Sequence, residues 1–458
     1  MKKILLGLTA LLLLTAPAHA TEKIAETKDK FLDIQEVTSP AGIKAWLVED
    51  HSLPIIALKF SFNEAGAARD PADRQGLAML VSNTLDEGAG NLDSQSFQKI
   101  LSDKSITLSF SASRDKFYGT LKTLSRHKED AFNLMHLALS EPRFDQEAID
   151  RMKASNIARI RSSMTDPEWM AARLSNDISY AGHPYAQNSG GTLTTIAGLT
   201  REDLQNFVKS QFALNRLNIA VSGDITAVEL AALLDRVFSF LPADSTSKPL
   251  DDHLIKTDGQ TYLFEKDIPQ SVIQMFQPGI KQKDPDYYAA SIMNFILGGS
   301  GFGSRLTEEV REKRGLTYGV YSSFGVYDHT NIFSVSLSTE NKNTDEALKV
   351  IRQEMRHIQD QPITQKELDE AKSYIIGSLP LSFSSTMAIA ANVLSLKEDN
   401  WPIDYYDQYP ELIRQVSIED VQRVARKVLQ PESMVTVVVG QPPALDKVHK
   451  LTSLPNVE

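Results

Sequence analysis

The stretch RQGLAMLVSNTLDEG, residues 74–88, has the spacing of a metal-holding helix without the side chains of one. Met79 and Asn83 stand four apart and share a helical face, with Ser82 between them. A thioether is a soft, neutral ligand, an amide carries no charge, and a hydroxyl has no useful basicity. The chain has no cysteine for a thiolate site, and its nine histidines include no pair four apart. A second set, in SRLTEEVREKRGLTYGVY, is different. Arg311 and Tyr318 lie seven apart, on the last turn of an expected helix and the start of a strand. A guanidinium and a phenol can both donate hydrogen bonds to a carbonyl oxygen that gains negative charge during attack. Taken alone, the pair reads rather as an exposed arginine beside an aromatic strand residue.

The elements that position these groups repeat along the chain. GLTREDLQNFVKSQF (198–212) is answered by QVSIEDVQRVARKVL (415–429), each with a cap-like Thr or Ser before an acidic first turn. LNIAVSGD (217–224) is answered by MVTVVVGQ (434–441), each a β-branched strand ending at glycine. Asp203 to Asp420 and Gly223 to Gly440 share an offset of 217 residues. FDQEAIDRMK (144–153) pairs with ITQKELDEAK (363–372), and RDPADRQGLAML (69–80) with KDPDYYAASIMN (283–294). The expected strands are IKAWLVED, IIALKFSF, SITLSFSA, KFYGTLKTL and LNIAVSG, then QTYLFEK, SVIQMFQ, TYGVYSS, NIFSVSLST and MVTVVVG. Helical patterns cover 128–140, 144–164 and 342–360. The fold class is α+β: two homologous domains, 21–245 and 259–458, each a largely antiparallel sheet backed by helices. A linker at 246–258 falls within a polar, turn-rich stretch.

Lys2 and Lys3, the apolar run ILLGLTALLLL and the ending Ala18-His19-Ala20 predict a signal peptide over 1–20, cut before Thr21. Export to the periplasm follows, with no later segment apolar enough to span a membrane. The formal charge of −11 becomes −13 once the two lysines leave, which argues against nucleic acid as a partner. GGSGFGS, within 298–304, reads as a flexible loop that lacks the lysine of a phosphate-binding loop. WPIDYYDQYP (401–410) reads as a packed inter-helix segment.

The duplicated halves, DPADRQGLAMLVSNTLDEG, SEPRFDQEAIDRMK, GHPYAQNSGGT, GLTREDL and SRLTEEVREKRGLTYGVY together resemble the pitrilysin/insulinase-like zinc peptidases. The likeness is to the bacterial and processing-peptidase branch and covers nearly all of the mature chain. The resemblance implies that the family's H-x-x-E-H falls on Met79, Leu80, Val81, Ser82 and Asn83, its further glutamate ligand on Arg159, and a supporting glutamate on Met152. It implies that GHPYAQNSGGT (182–192) lines a peptide chamber. It also implies that Arg311 and Tyr318 reach the substrate near the zinc. In two-chain members one subunit carries zinc and the other gives this pair. The expectation is a zinc-free subunit with no cofactor of its own, acting on peptides beside a homologous zinc-bearing partner. The alternatives are a non-catalytic peptide-binding or scaffold protein of the same fold, and a solitary peptidase with a relocated metal.

Overall fold

The computed structural model describes residues 30–458 apart from 256, 444, 446 and 456. The expected signal peptide lies outside the described residues. Each half builds a six-stranded sheet. Across the first the order is 34–38, 44–49, 217–223, 55–62, 117–124, 107–112; across the second it is 448–451, 261–265, 435–440, 270–278, 331–340, 317–326. Five strands occupy matching places. Among those five, only 44–49 with 217–223, and 261–265 with 435–440, run parallel. The sixth strand does not repeat: 34–38 arrives from one end of the chain and pairs antiparallel, whereas 448–451 arrives from the other and pairs parallel.

The repeat of a strand ending in glycine has a steric cause. Gly223 has φ +120°, and a Cβ there would lie 2.0 Å from the Ile55 carbonyl oxygen. Gly440 has φ +156°, and its Cβ would lie 2.5 Å from Ser271 Oγ. Only glycine lets the neighbouring strand pass so close. Alternation then separates the sheet faces. In 331–340, Phe333, Val335 and Leu337 are buried in the second core, while Ser334, Ser336 and Ser338 point the other way.

Each sheet has its own helices on one face and a helix from the opposite half on the other. Pro167–Ser179 of the first half lies on the second sheet, where Met170, Ala171 and Leu174 pack with Phe276, Val435, Val437 and Val439. Thr386–Glu398 of the second half lies on the first sheet, where Val393, Leu394 and Leu396 pack with Trp46, Val48 and Ala220. Neither sheet buries both faces with its own half alone. The repeated helices start alike: Thr200 with Asp203, and Ser417 with Asp420, each form a reciprocal capping box. Tyr405, Tyr406 and Tyr409 of the aromatic segment pack beside Trp46 and Tyr288. Among the described residues no single helix is long and apolar enough to cross a membrane.

Candidate functional site

The first-half site is built on the short helix Leu77–Ser82, which Asn83 caps. The Asn83 N–H donates to the Met79 carbonyl at 3.1 Å, so 79 and 83 do sit on successive turns of one face. The helix is held at its start by buried Asp70, whose two carboxylate oxygens accept N–H bonds from Gly76 at 2.9 Å and Ala78 at 3.0 Å. Asp70→Ala leaves both amides without an acceptor and is expected to cost about 3 kcal/mol, read as a lower urea midpoint.

Of the four positions expected from the sequence, Asn83 and Arg159 meet at a fifth residue, Asn156, while Met79 and Ser82 share the helix that Asn83 caps. Ser82 Oγ donates to the Met79 carbonyl at 2.8 Å. Asn83 Nδ2 donates to Asn156 Oδ1 at 3.0 Å, and Arg159 Nη2 donates to the same oxygen at 3.3 Å. Asn156 and Arg159 lie on the helix Gln146–Ser163, one turn apart, and Met152 on the same helix packs against the first core. These groups do not fit a zinc ion. Met79 offers a weak thioether, Ser82 spends its proton on a backbone carbonyl, and Asn83 aims its nitrogen at another amide. Arg159 adds a permanent positive charge. Among the described residues, no three His, Cys, Asp or Glu side chains are grouped as a metal would need.

The second-half site lies at a helix–strand junction. Ser304 Oγ accepts the Thr307 N–H at 3.3 Å, as a cap should. The helix then widens over Thr307–Glu312, with the Lys313 N–H reaching the Glu308 carbonyl at 3.0 Å. Such π turns recur at functional positions, and Arg311 sits in this one. Its guanidinium lies 4.7 Å over the Phe302 ring and its Nε 3.4 Å from Glu312 Oε1. The segment expected to be a loop is wound up instead, as a π turn over Phe295–Gly299 and a 3-10 turn over Gly301–Gly303 that presents Phe302. Gly315, at φ +62°, ends the helix.

Tyr318 falls in a β-bulge. Thr317 pairs with Thr339 and Val320 with Leu337, so two residues oppose Ser338 alone. A bulge re-aims the side chains it carries, and Tyr318 is 87% exposed. It stands beside a cavity of about 470 Å³, lined also by Glu168, Gln270, Gln274, Tyr321 and Ser336. Glu168 enters from the helix that the first half lends to this sheet.

The helix bearing Arg311 is clamped from outside. Arg305 Nε and Nη2 meet the two carboxylate oxygens of Glu367 at 2.7 and 3.0 Å. Burial pushes Glu367 upward, but Arg305 and the Thr364 cap outweigh it and hold the carboxyl at about 2. A carboxyl depressed on folding stabilises above its unfolded pKa, and that share is lost as pH falls from about 4.5 towards 2. At neutral pH, Glu367→Gln should therefore lower stability by about 1–2 kcal/mol after solvent screening. The gap between variant and parent should close on acidification, as urea melts at several pH values would record.

GHPYAQNSGGT divides between two tasks. Tyr185 is buried at the seam between the halves: its hydroxyl donates to the Asp115 carboxylate and accepts the His329 N–H at 3.2 Å. The Arg114 guanidinium lies 4.8–4.9 Å from the rings of Tyr180, Tyr185 and Tyr327. Tyr185 thus joins the halves and is not open to a peptide. Further along, the Asn188 N–H donates to Gln75 Oε1 at 3.0 Å, which lays the glycines against the first-half helix. The sequence reading missed Asn156, Phe302 and Glu168. Asn156 and Phe302 were signalled only by proximity to residues already singled out, and Glu168 by nothing in the sequence.

Comparison with known proteins agrees with this geometry. Residues 198–375 match the family described as Peptidase M16 inactive domain. A curated relative, the non-peptidase homolog YmxG of Helicobacter pylori, is 27% identical over 81% of this chain and 86% of its own length. The crystal structure of a peptidase M16 inactive domain from Pseudomonas fluorescens superposes with a TM-score of 0.83 at 29% identity, covering 89% of this chain and 98% of that one. The periplasmic protease PqqL from Escherichia coli shares the fold, with a TM-score of 0.77 at 18% identity over 96% of this chain and 49% of PqqL. The chain is thus similar, over most of its length, to peptidase-like proteins of the M16 (pitrilysin/insulinase-like) family, and its own zinc-motif helix lacks the metal-binding residues.

Proposed function

We propose that this chain is the exported, zinc-free subunit of a two-chain peptidase, working in the periplasm. A homologous partner supplies zinc, water and base, and this chain supplies Arg311 and Tyr318. The observation that carries the reading is the contrast between the halves. The first-half helix offers no metal ligands, whereas the second half displays Tyr318 from a bulge beside a cavity and holds Arg311 in a clamped turn. There the guanidinium and phenol hydrogen-bond the scissile carbonyl of a peptide and stabilise the charge that develops on its oxygen. The test is to co-express the chain with a zinc-bearing homologue and measure peptide cleavage with and without the pair. Equal rates overturn the reading.

A second reading is supported by the matched family, described as inactive, and by the relative named as a non-peptidase homolog. Under it the chain binds peptides or scaffolds an assembly without hydrolysis. It predicts measurable peptide affinity and no cleavage with any homologous partner.

A further inference from the structure

The amide of Asn156 has one unanswered polar atom. Arginine only donates, so the Asn156 atom 3.3 Å from Arg159 Nη2 is the oxygen. That oxygen also accepts Asn83 Nδ2. The Asn156 Nδ2 is then left buried without a partner, in a side chain only 3% exposed. Buried amide donors are rarely left so, and each one asks for an acceptor. Arg159, beside it, makes this single hydrogen bond and forms no ion pair among the described residues. The carboxylate of Glu87, five residues past Ser82, is already taken by Arg151. The Asn188–Gly191 backbone passes over the guanidinium: a Cβ on Gly190 would stand 3.9 Å from Arg159 Nη2. Met79 and Ser82 on the facing turn bring no charge. The group therefore holds one free positive charge, one orphan donor and no anion.

We propose that this group is an anion site that takes a carboxylate of a bound peptide, gripped by the Arg159 fork and completed by Asn156 Nδ2. A guanidinium with most of its N–H donors unused meets a carboxylate in a planar, two-point pairing that a lysine cannot copy. The carboxylate comes either from the end of the peptide chain or from an acidic side chain. The ligand class rests on the peptide-binding reading above, but the site needs neither the partner chain nor zinc.

The experiment titrates the isolated full-length mature chain with three probes by calorimetry. They are N-acetylated tetra-alanine with a free C-terminus, the same peptide amidated, and the amidated peptide with one alanine replaced by glutamate. The expected result is that at least one carboxylate-bearing probe binds about tenfold or more tightly than the plain amide. A preference for the free acid assigns the chain terminus, and a preference for the glutamate probe assigns the side chain. Arg159→Gln, at an exposed position that should not disturb folding, is expected to abolish the preference. Arg159→Lys should keep only part of it, and added salt should weaken it. Equal binding of all three probes, no binding at all, or a preference that survives Arg159→Gln would overturn the proposal. This titration and the cleavage assay with Arg311 and Tyr318 variants fail independently, because neither uses the other's residues.

Discussion

The variant Met79→His, Ser82→Glu, Asn83→His, Arg159→Glu is expected to hold about one zinc ion per chain, and the parent chain is expected to hold none. The frame for such a site is present even though the ligands are not. Residues 79 and 83 occupy one helical face, tied by the hydrogen bond from the Asn83 N–H to the Met79 carbonyl. The second helix already brings Arg159 and Asn83 onto a common atom of Asn156. Two imidazoles four apart and a carboxylate from the facing helix make a three-ligand zinc site, and a glutamate at 82 can activate the bound water. Arg159 matters as much as the missing histidines, because its charge opposes the cation. The triple variant that keeps Arg159 should therefore bind zinc at least about 100-fold more weakly than the quadruple variant. Metal analysis after dialysis, with competition against a chelator, reads both values. A folded quadruple variant that retains no zinc would mean that the two helices do not present these positions to one ion.

Strands whose two faces differ in polarity were legible in the sequence. NIFSVSLST coincides with the strand 331–340, because burial on one face imposes a pattern the chain must carry, whereas IIALKFSF and LNIAVSG, buried on both faces in 55–62 and 217–223, were legible as apolar runs. The duplication located matching strands in the two sheets, since each half meets the same packing problem. The edge strands 34–38 and 448–451 were missed. IQEVT and VHKL are short, and an edge strand half open to water needs no strong alternation. The exchange of helices between halves was also hidden. An apolar stripe shows that a helix face is buried, but not which sheet buries it. The same limit applies at the site. Arg311 and Tyr318 were singled out only through the family resemblance, whereas the bulge that turns Tyr318 outward depends on register against 331–340. Asn156 lies in EAIDRMKASNIARIR, where nothing marks its amide as the buried contact between two helices.

In a complex with a zinc-bearing partner, Arg311→Ala and Tyr318→Phe are each expected to lower kcat about 10²–10³-fold, with the partner's zinc content unchanged. Under the proposed function each variant removes a donor to the oxygen that becomes negative, so the loss should fall mainly on kcat and less on KM. If both donors serve one oxygen, the double variant should lose less than the product of the single losses, since the remaining contacts cannot be lost twice. Phe302→Ala gives a graded control. It removes the ring 4.7 Å from the guanidinium without removing the charge, and should cost only a few-fold in rate. Tyr318→Phe is the sharper of the two tests, because a residue 87% exposed has little folding role to confuse with chemistry. A complex that cleaves peptides at the parent rate with both substitutions in place would show that all the chemistry belongs to the partner. This chain would then contribute binding surface or scaffold alone.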